Sequence, residues 1–243
     1  MKKIKYIHEV RAVKSKKELD NIIKAQRISE RVLGDVLKIL KVGISETEVE
    51  NFIKKTFVKY NAPILSFPPI VSFGKNTANI HHRPSKNKLK EGDIIMFDFG
   101  CTINHYCSDM TRTFFFNKIN KKQEKIYKAV LHVQNLVLKK ISKGERRANV
   151  IDTLARDYLH KKFGKNRFSH GLGHGVGTVI HEWPNLKNKS EDILPTGCVI
   201  TIEPGLYFRN FGGVRIEDMI LITKNSYHNL TKFNKDLESV ILR

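Results

Sequence analysis

Cysteine is scarce in this sequence, and long apolar runs are absent from it. The three cysteines, Cys101, Cys107 and Cys198, form no CxxC pair, which argues against a zinc finger or a disulfide framework. We expect them to be small buried hydrophobic side chains. No run approaches the roughly 18 apolar residues that span a bilayer, and no apolar stretch follows the charged N-terminus as it would in a signal peptide. These absences predict a cytoplasmic protein with no membrane partner.

Two sequence signatures of catalysis are also missing. The glycine-rich segment HGLGHGVG at 170–177 is not followed by Gly-Lys-Ser/Thr, so it is not a phosphate-binding P-loop. No GxSxG segment is present, which leaves Ser/His/Asp catalysis without support. Linkers rich in glycine, serine or proline are lacking, and 243 residues suit one large domain.

The charge balance is strongly positive, because 44 lysines and arginines face 24 aspartates and glutamates, for a net charge of +20. Clustered positive charge favours a nucleic-acid partner, since binding releases counterions from the phosphates. Many lysines here form separated pairs, such as Lys16–Lys17 and Lys121–Lys122, a pattern typical of solvated helix faces. The sequence therefore allows either dispersed surface charge or a nucleic-acid partner.

The same order of predicted elements occurs twice. Ser15-x-x-Glu18 is a capping box that starts a helix, and Ser45-x-x-Glu48 is a capping box that starts a second one. The second helix ends near Lys59, before strand-like runs that extend to Phe116. The residues from 123 to 223 repeat this order of two helices and then strands. Gly43 and Gly144, which separate the helices of each pair, lie 101 residues apart.

The acidic residues follow this repeat. Gly92 precedes Asp98 by six residues, and Gly197 precedes Glu203 by six. Each half then carries a second acid on its next strand, namely Asp109 and Glu217. Such self-similarity predicts an internal duplication. We expect two pseudo-symmetric α+β halves around one curved antiparallel sheet.

Asp98 and Glu203 each follow an apolar run that should be a buried strand. Buried carboxylates are costly unless something compensates their charge. A lysine or arginine could pair with one of them, but four acids in matching positions favour bound cations. His174, in the glycine-rich segment, adds an imidazole, and this mixture suits Mn, Co, Fe or Zn better than Ca or Mg. Two such ions could activate water for hydrolysis.

Five segments resemble the pita-bread metallopeptidases, and within them the Xaa-Pro aminopeptidase and prolidase branch. They are FDFG (97–100), SDMTRT (108–113), HGLGHGVG (170–177), TIEPGLY (201–207) and GGVRIEDM (212–219). The resemblance covers about residues 12–243. It implies a pita-bread fold, with an N-terminal extension at 1–13 and a single domain at 14–243.

The resemblance also implies roles for individual residues. Two divalent ions, Mn or Co first and Zn or Fe as alternatives, would be held by Asp98, Asp109, His174, Glu203 and Glu217. Glu203 would also act as the general base. His81 and His181, which taken alone read as ordinary histidines, would hydrogen-bond the scissile carbonyl or its oxyanion. His170 would lie on the substrate side, and Arg215 would orient the carboxylates that bind the metals.

The implied activity is removal of an N-terminal residue from peptides that have proline in the second position. A methionine aminopeptidase is the alternative enzyme, because such enzymes share the five ligands. A catalytically silent scaffold that binds nucleic acid or protein is the alternative from another class, and a metal-free hydrolase of the creatinase kind is a third. Larger Xaa-Pro enzymes carry an additional N-terminal domain that this sequence lacks, and in them that domain helps to form the oligomer, so the resemblance does not define the assembly or the preferred peptide length. We expect a monomer or a homodimer.

Overall fold

The structure is a computed structural model that describes residues 7–243. Residues 1–6 of the predicted extension lie outside the described residues. The chain begins with three helices, namely α1 (Ile7–Ala12), α2 (Lys16–Ile39) and α3 (Glu46–Lys59). The capping boxes that start α2 and α3 are both formed, by Ser15 with Glu18 and by Ser45 with Glu48. Their formation explains why the two helices begin where the sequence predicts.

The strands of the first half follow α3. They are β1 (Ile70–Phe73), β2 (Ile94–Asp98), β3 (Thr102–Ile103), β4 (Tyr106–Cys107) and β5 (Thr111–Phe116). A short 3-10 helix over Gly74–Ala78 directly follows β1. Every residue of β1, β2 and β5 is buried. Burial on both faces explains why β2 is apolar at each position before Asp98 rather than alternating.

The second half repeats the order of two helices and then strands. Its helices are α4 (Lys121–Ser142) and α5 (Ala148–Phe163). Its strands are β6 (Gly173–Gly175), β7 (Glu182–Leu186), β8 (Val199–Ile202), β9 (Gly205–Phe208), β10 (Gly212–Arg215), β11 (Asp218–Ile222) and β12 (Tyr227–Asn229). A 3-10 helix over Leu237–Val240 and a short strand β13 (Ile241–Leu242) close the chain.

The strands form two main sheets, one for each half. The first has the order β1-β2-β5-β13 and the second the order β12-β11-β8-β6-β7. Their pairs are antiparallel except for β13, which runs parallel to β5. The curved surface that the sequence predicts as one sheet therefore consists of two hydrogen-bonded sheets. Strand β5 of the first sheet contacts β10, which pairs with β9 in a separate two-stranded sheet, and the segment that leads from β10 to β11. The Thr113 hydroxyl donates to the Arg215 carbonyl at 2.8 Å, and the Glu217 amide donates to the Thr111 carbonyl at 3.1 Å.

The glycines of the two halves share an unusual backbone conformation. Gly43 and Gly144 have φ values of 87° and 93°, and Gly92 and Gly197 have φ values of 77° and 90°. These left-handed values favour glycine because it has no Cβ. The equivalence of the two pairs supports the duplication inferred from the sequence.

The predicted burial of the cysteines is confirmed, because all three are buried and free. Within residues 7–243, none of the helices combines the length and hydropathy that crossing a membrane requires. The first half and the second half share one large core that runs between the helices and the sheets. The ends of β2 and β8, where Asp98 and Glu203 lie, emerge from this core.

Candidate metal centre

The nine side chains singled out in the sequence all border one cleft of about 830 Å³. The five predicted ligands come from both halves. Asp98 ends β2, Asp109 lies between β4 and β5, His174 lies in β6, Glu203 follows β8, and Glu217 lies between β10 and β11. The duplicated strands thus deliver acids from opposite sides to a common centre.

Short distances join these side chains. His174 Nε2 lies 3.6 Å from Asp109 Oδ2 and 3.4 Å from Glu203 Oε1. One ligand atom each from Asp109, His174 and Glu217 lies within 4.8 Å of the other two. Separations of this size match donor atoms that converge on a cation.

The absence of a side chain at Gly173 sets the position of the strand that carries His174. A Cβ on Gly173 would lie only 2.0 Å from the Thr201 carbonyl oxygen, so only glycine lets β6 lie this close to β8. The His174 amide donates to the Thr201 hydroxyl at 3.0 Å, and that hydroxyl donates to Glu203 Oε1 at 3.2 Å. Thr201 therefore fixes the backbone of His174 and the carboxylate of Glu203 relative to each other.

Arg215 connects the two halves behind the centre. Its guanidinium donates to Asp98 Oδ2 at 2.5 Å, to the Thr111 hydroxyl at 3.0 Å and to the Tyr207 hydroxyl at 2.8 Å. Thr111 in turn donates to Glu217 Oε2 at 2.8 Å. One buried arginine thus orients carboxylates from both halves, the arrangement typical of partners that fix metal ligands.

The carboxylates of the centre are electrostatically unfavourable on their own. Burial, together with the charges of Glu217, Asp98 and Glu203, raises the pKa of Asp109 well above its ordinary value. Burial and the charges of Glu203 and Asp98 do the same to the pKa of Glu217. Burial raises the pKa of Glu203 to about 7, with Asp98 adding to the effect and Arg215 opposing it. Positive charge at the centre would relieve this repulsion.

Two buried oxygens support a cation on independent grounds. Asp98 Oδ1 and Glu217 Oε1 find no hydrogen-bond partner in the part of the chain that the structure describes. Buried polar atoms are nearly always satisfied, so an orphaned carboxylate oxygen indicates a missing partner. The donor set of four carboxylates and one imidazole fits a divalent cation of the Mn, Co, Fe or Zn type.

Burial favours the neutral form of three histidines in the cleft. Burial lowers the pKa of His174, and burial followed by the charge of Arg215 lowers the pKa of His170 to about 3. Burial and the neighbouring His174 also lower the pKa of His181. Neutral imidazole is the form that binds metals and that can donate one hydrogen bond while accepting another.

The structure puts the remaining predicted residues around the centre. His170 lies between the Tyr207 hydroxyl, at 2.9 Å from Nε2, and the Gly171 carbonyl, at 2.7 Å from Nδ1. The ring of His181 lies 4.3 Å from the ring of His174. His81 borders the cleft from a loop of the first half. The two histidines predicted to act together thus reach the cleft from different halves.

Some residues of the site were not anticipated from the sequence. Thr111, Thr201 and Tyr207 hold the ligands or His170 through their hydroxyls. All three lie inside the quoted motifs, so a hydroxyl adjacent to a predicted ligand was the available signal. The apolar wall of the cleft was also missed, and it includes Phe67, Pro68, Pro69, Ile70, Ile80 and Ile180.

A water-accessible cluster of carboxylates with one neutral imidazole is the kind of centre that metal-dependent hydrolases use. The sequence model of metallopeptidase family M24 matches residues 20–224. The chain belongs to this family.

Individual relatives agree with this assignment. A peptidase of Staphylococcus epidermidis, named as uncharacterized, is 39% identical over 229 residues, which is 94% of this chain and 65% of that protein. The prolidase from Pyrococcus horikoshii has a TM-score of 0.91 at 37% identity, over 95% of this chain and 66% of that one. The X-Pro aminopeptidase from Thermotoga maritima has a TM-score of 0.90 at 30% identity, over 95% and 65%. These likenesses confirm the predicted pita-bread fold.

This chain spans about two thirds of the length of the relatives that it matches.

Proposed function

We propose that this chain is a metal-dependent aminopeptidase that removes the N-terminal residue from peptides with proline in the second position. The observation that carries the proposal is the convergence of four acids and one imidazole on one cleft. Two buried carboxylate oxygens of this group lack a hydrogen-bond partner among the described residues. The relatives named prolidase and X-Pro aminopeptidase, at 37% and 30% identity, support the substrate class. The apolar wall of the cleft offers a surface against which a proline ring can pack.

The proposed cofactor is a pair of divalent ions, with Mn or Co as the first candidates and Zn or Fe as alternatives. Asp98, Asp109, His174, Glu203 and Glu217 would hold them. When bound, such ions polarise a carbonyl group and make water a better nucleophile near neutral pH. The neutral state of His174 and the partnerless oxygens of Asp98 and Glu217 support this part of the proposal.

Each remaining residue has a role that its surroundings support. Glu203 takes a proton from the attacking water, while Thr201 fixes its Oε1 atom. His81 and His181 donate hydrogen bonds to the carbonyl oxygen of the bond that is cleaved, where negative charge develops. His170, held by the Tyr207 hydroxyl, orients the substrate. Arg215 keeps Asp98 in place.

Digestion of a peptide library by the metal-reconstituted protein tests this proposal. We expect release of N-terminal residues from Xaa-Pro peptides, and no release by the Asp109→Ala variant. Turnover of Met-Ala peptides alone would instead identify a methionine aminopeptidase. A protein that takes up no divalent ion and cleaves neither peptide would contradict the proposal and favour a silent scaffold.

We propose nucleic acid as a second partner, because a basic groove lies between α4 and α5. The groove, of about 450 Å³, is bordered by Lys121, Lys125, Lys128 and Lys162 together with Tyr158 and one acid, Glu124, which pairs with Lys128. Fluorescence anisotropy with single-stranded RNA at rising salt concentration tests this partner. Binding that weakens steeply with salt, and that a Lys125→Gln/Lys162→Gln variant weakens further, supports it. No binding at low salt would leave the charge as a dispersed surface property.

We propose that the chain is a monomer or a homodimer. Analytical ultracentrifugation of the full chain at several concentrations decides between the two, and a larger assembly would contradict both.

A further inference from the structure

Fully buried carboxylates also lie outside the metal centre, and Glu46 is one of them. Glu46 is the first residue of α3, and its exposed fraction is 0%. A buried carboxylate of this kind must be compensated by partners. The peptidase activity proposed above gives Glu46 no role, so its compensation calls for an explanation.

One oxygen of Glu46 holds the segment that follows β1. Glu46 Oε1 accepts hydrogen bonds from the Phe73 amide at 2.8 Å, from Asn76 Nδ2 at 2.9 Å and from Asn87 Nδ2 at 3.3 Å. These donors lie at both ends of a loop that connects β1 to β2. The oxygen therefore fixes the two ends of the loop to the start of α3.

The other oxygen holds the middle of the same loop. Glu46 Oε2 lies 2.8 Å from His82 Nε2 and accepts hydrogen bonds from the Ser85 amide at 3.0 Å and the Ser85 hydroxyl at 2.6 Å. Because an ionised carboxylate only accepts, the Nε2 atom of His82 must carry the proton. Burial opposes ionisation, but the hydrogen bonds from His82, Ser85, Asn76 and Phe73 outweigh it and lower the pKa of Glu46 to about 2.

The loop that Glu46 organises forms one side of the cleft. Residues 80–84 all border the cleft, and His81 directly precedes His82. His81 itself is exposed, and its amide donates a long hydrogen bond to Asn79 Oδ1 at 3.3 Å. The position of its ring therefore depends on how firmly the neighbouring residues of the loop are held.

We propose that Glu46 is a positioning residue for peptide cleavage, whose buried carboxylate holds the 79–87 loop against α3 and thereby fixes His81 in the cleft. The inference rests on the proposed function, because that function gives His81 its role at the substrate carbonyl. Glu46 lies away from the substrate and acts through His81.

The Glu46→Gln variant makes the proposal testable. Glutamine keeps the shape of the side chain but turns one acceptor oxygen into a donor, so the three hydrogen bonds on that side are lost or reversed. His81 then occupies its working position for a smaller fraction of the time. We expect kcat to fall by about 10- to 100-fold, the range seen when an outer partner of an active-site group is removed, with KM and metal content unchanged.

A matched control lies two residues further along the same helix. Glu48 is exposed and closes the capping box of α3 with Ser45, a task that glutamine also performs. The Glu48→Gln variant therefore makes the same chemical change on the same helix, and we expect it to keep the kcat of the unmodified protein. Hydrogen exchange supplies a readout other than activity. Glu46→Gln, unlike Glu48→Gln, should speed amide exchange in residues 79–87 and leave α4 unchanged.

A double-mutant cycle with His81→Ala separates positioning from general loosening. His81→Ala alone should lower kcat by about 10²- to 10³-fold. If Glu46 acts through His81, adding Glu46→Gln to His81→Ala lowers kcat no further. A full additional loss, or a Glu46→Gln variant that equals Glu48→Gln in kcat and in exchange, would overturn the proposal.

Two further outcomes have distinct meanings. If the unmodified protein cleaves no Xaa-Pro peptide, or if His81→Ala retains full kcat, the proposed function fails and the role of Glu46 in catalysis fails with it. The exchange rates then still report whether Glu46 holds the loop. If Glu46→Gln does not fold, Ser85→Ala, which deletes one donor to Oε2, takes its place with the same kinetic and exchange measurements, and the same results support or overturn the proposal.

Discussion

The two halves of the molecule hold their active-site loops with the same device but with different chemistry. In each half, the last helix before the strands carries a carboxylate with an exposed fraction of 0%. These carboxylates are Glu46 on α3 and Asp152 on α5. Glu46 holds the loop that carries His81, through two backbone amides and four side-chain donors. Asp152 accepts a hydrogen bond from the Leu172 amide at 3.1 Å, inside the segment that carries His170 and His174.

The difference lies in the partner of each acid. Asp152 forms two hydrogen bonds with Arg156, at 2.8 and 2.9 Å. The same guanidinium donates to the Phe168 carbonyl at 3.0 Å and the His170 carbonyl at 2.7 Å. The partners of Glu46 are amides, a hydroxyl and an imidazole instead of an arginine. Both halves therefore carry a buried acid on the helix that precedes their strands, although it is the first residue of α3 and the fifth of α5. The way the charge of this acid is compensated also differs between the halves.

The largest expected effect tests whether the halves are equivalent at the metal centre itself. Asp109 and Glu217 are the second acids of their halves, so Asp109→Asn and Glu217→Gln should both lose bound metal and nearly all activity. The loss should exceed the roughly 10- to 100-fold that removal of an outer partner causes. Metal analysis and kcat/KM measure it. Full activity in one of the two variants would break the equivalence.

The next prediction sharpens the comparison between Asp152 and Glu46. Asp152→Asn leaves the guanidinium of Arg156 without a counter-charge in the interior, which should cost about 3–5 kcal/mol of unfolding free energy. Glu46→Gln leaves no unpaired arginine or lysine, only misdirected hydrogen bonds, and should cost about 1–3 kcal/mol. Urea unfolding of the metal-free variants measures both. Equal losses of unfolding free energy would show that the difference in partners between Asp152 and Glu46 does not affect stability.

A third prediction concerns the pH dependence that Glu46 contributes. Its pKa falls from an ordinary value of 4.5 to about 2 in the folded protein. A lowered pKa means that the stabilisation is complete above the unfolded value and is lost as the pH falls toward the folded value. The unfolding free energy of the unmodified protein minus that of Glu46→Gln should therefore shrink between about pH 5 and about pH 3. A difference that stays constant over this range would contradict the assignment.

The smallest expected effect concerns the loop of His181. This loop is tied to the N-terminal segment through Glu182, which pairs with the buried Lys14 and with Arg11 at 3.1 Å. Arg11 is 44% exposed, so water screens its pair, and Arg11→Ala should cost no more than about 1 kcal/mol. We expect kcat to change less than in Glu46→Gln. A larger loss of kcat in Arg11→Ala than in Glu46→Gln would show that the loop of His181 depends more on its outer contacts than the loop of His81 does.

Local patterns in the sequence predicted most of the fold and singled out the acids that the structure brings to one cleft. The caps at Ser15 and Ser45, the separating glycines and the strands that end at Asp98 and Glu203 depend on neighbouring residues, and the structure confirms these elements. Strand β6 could not be predicted, because glycine is depleted in strands and the partners of β6 on β7 and β8 are brought to it only by the fold.

Glu46 shows more clearly that contacts between distant parts of the chain could not be predicted from local patterns. In the sequence it is an ordinary acid in the first turn of a helix, where acids are common because they complement the helix dipole. Its partners lie 27 to 41 residues further along the chain, and only the folded loop brings them together. Tyr207 was overlooked for a similar reason, because its contacts with His170 and Arg215 are tertiary.

The guanidinium of Arg215 has a consequence for how ligands influence each other. It donates hydrogen bonds to Asp98 and Tyr207, and Tyr207 contacts His170. A continuous chain of contacts therefore runs from an acid proposed to bind a cation to a histidine proposed to contact the substrate. Coupling of two binding equilibria is reciprocal by thermodynamic necessity. A non-cleavable peptide that engages His170 should therefore raise cation affinity by the same factor by which the cation raises affinity for that peptide, and a Tyr207→Phe substitution should reduce both factors together.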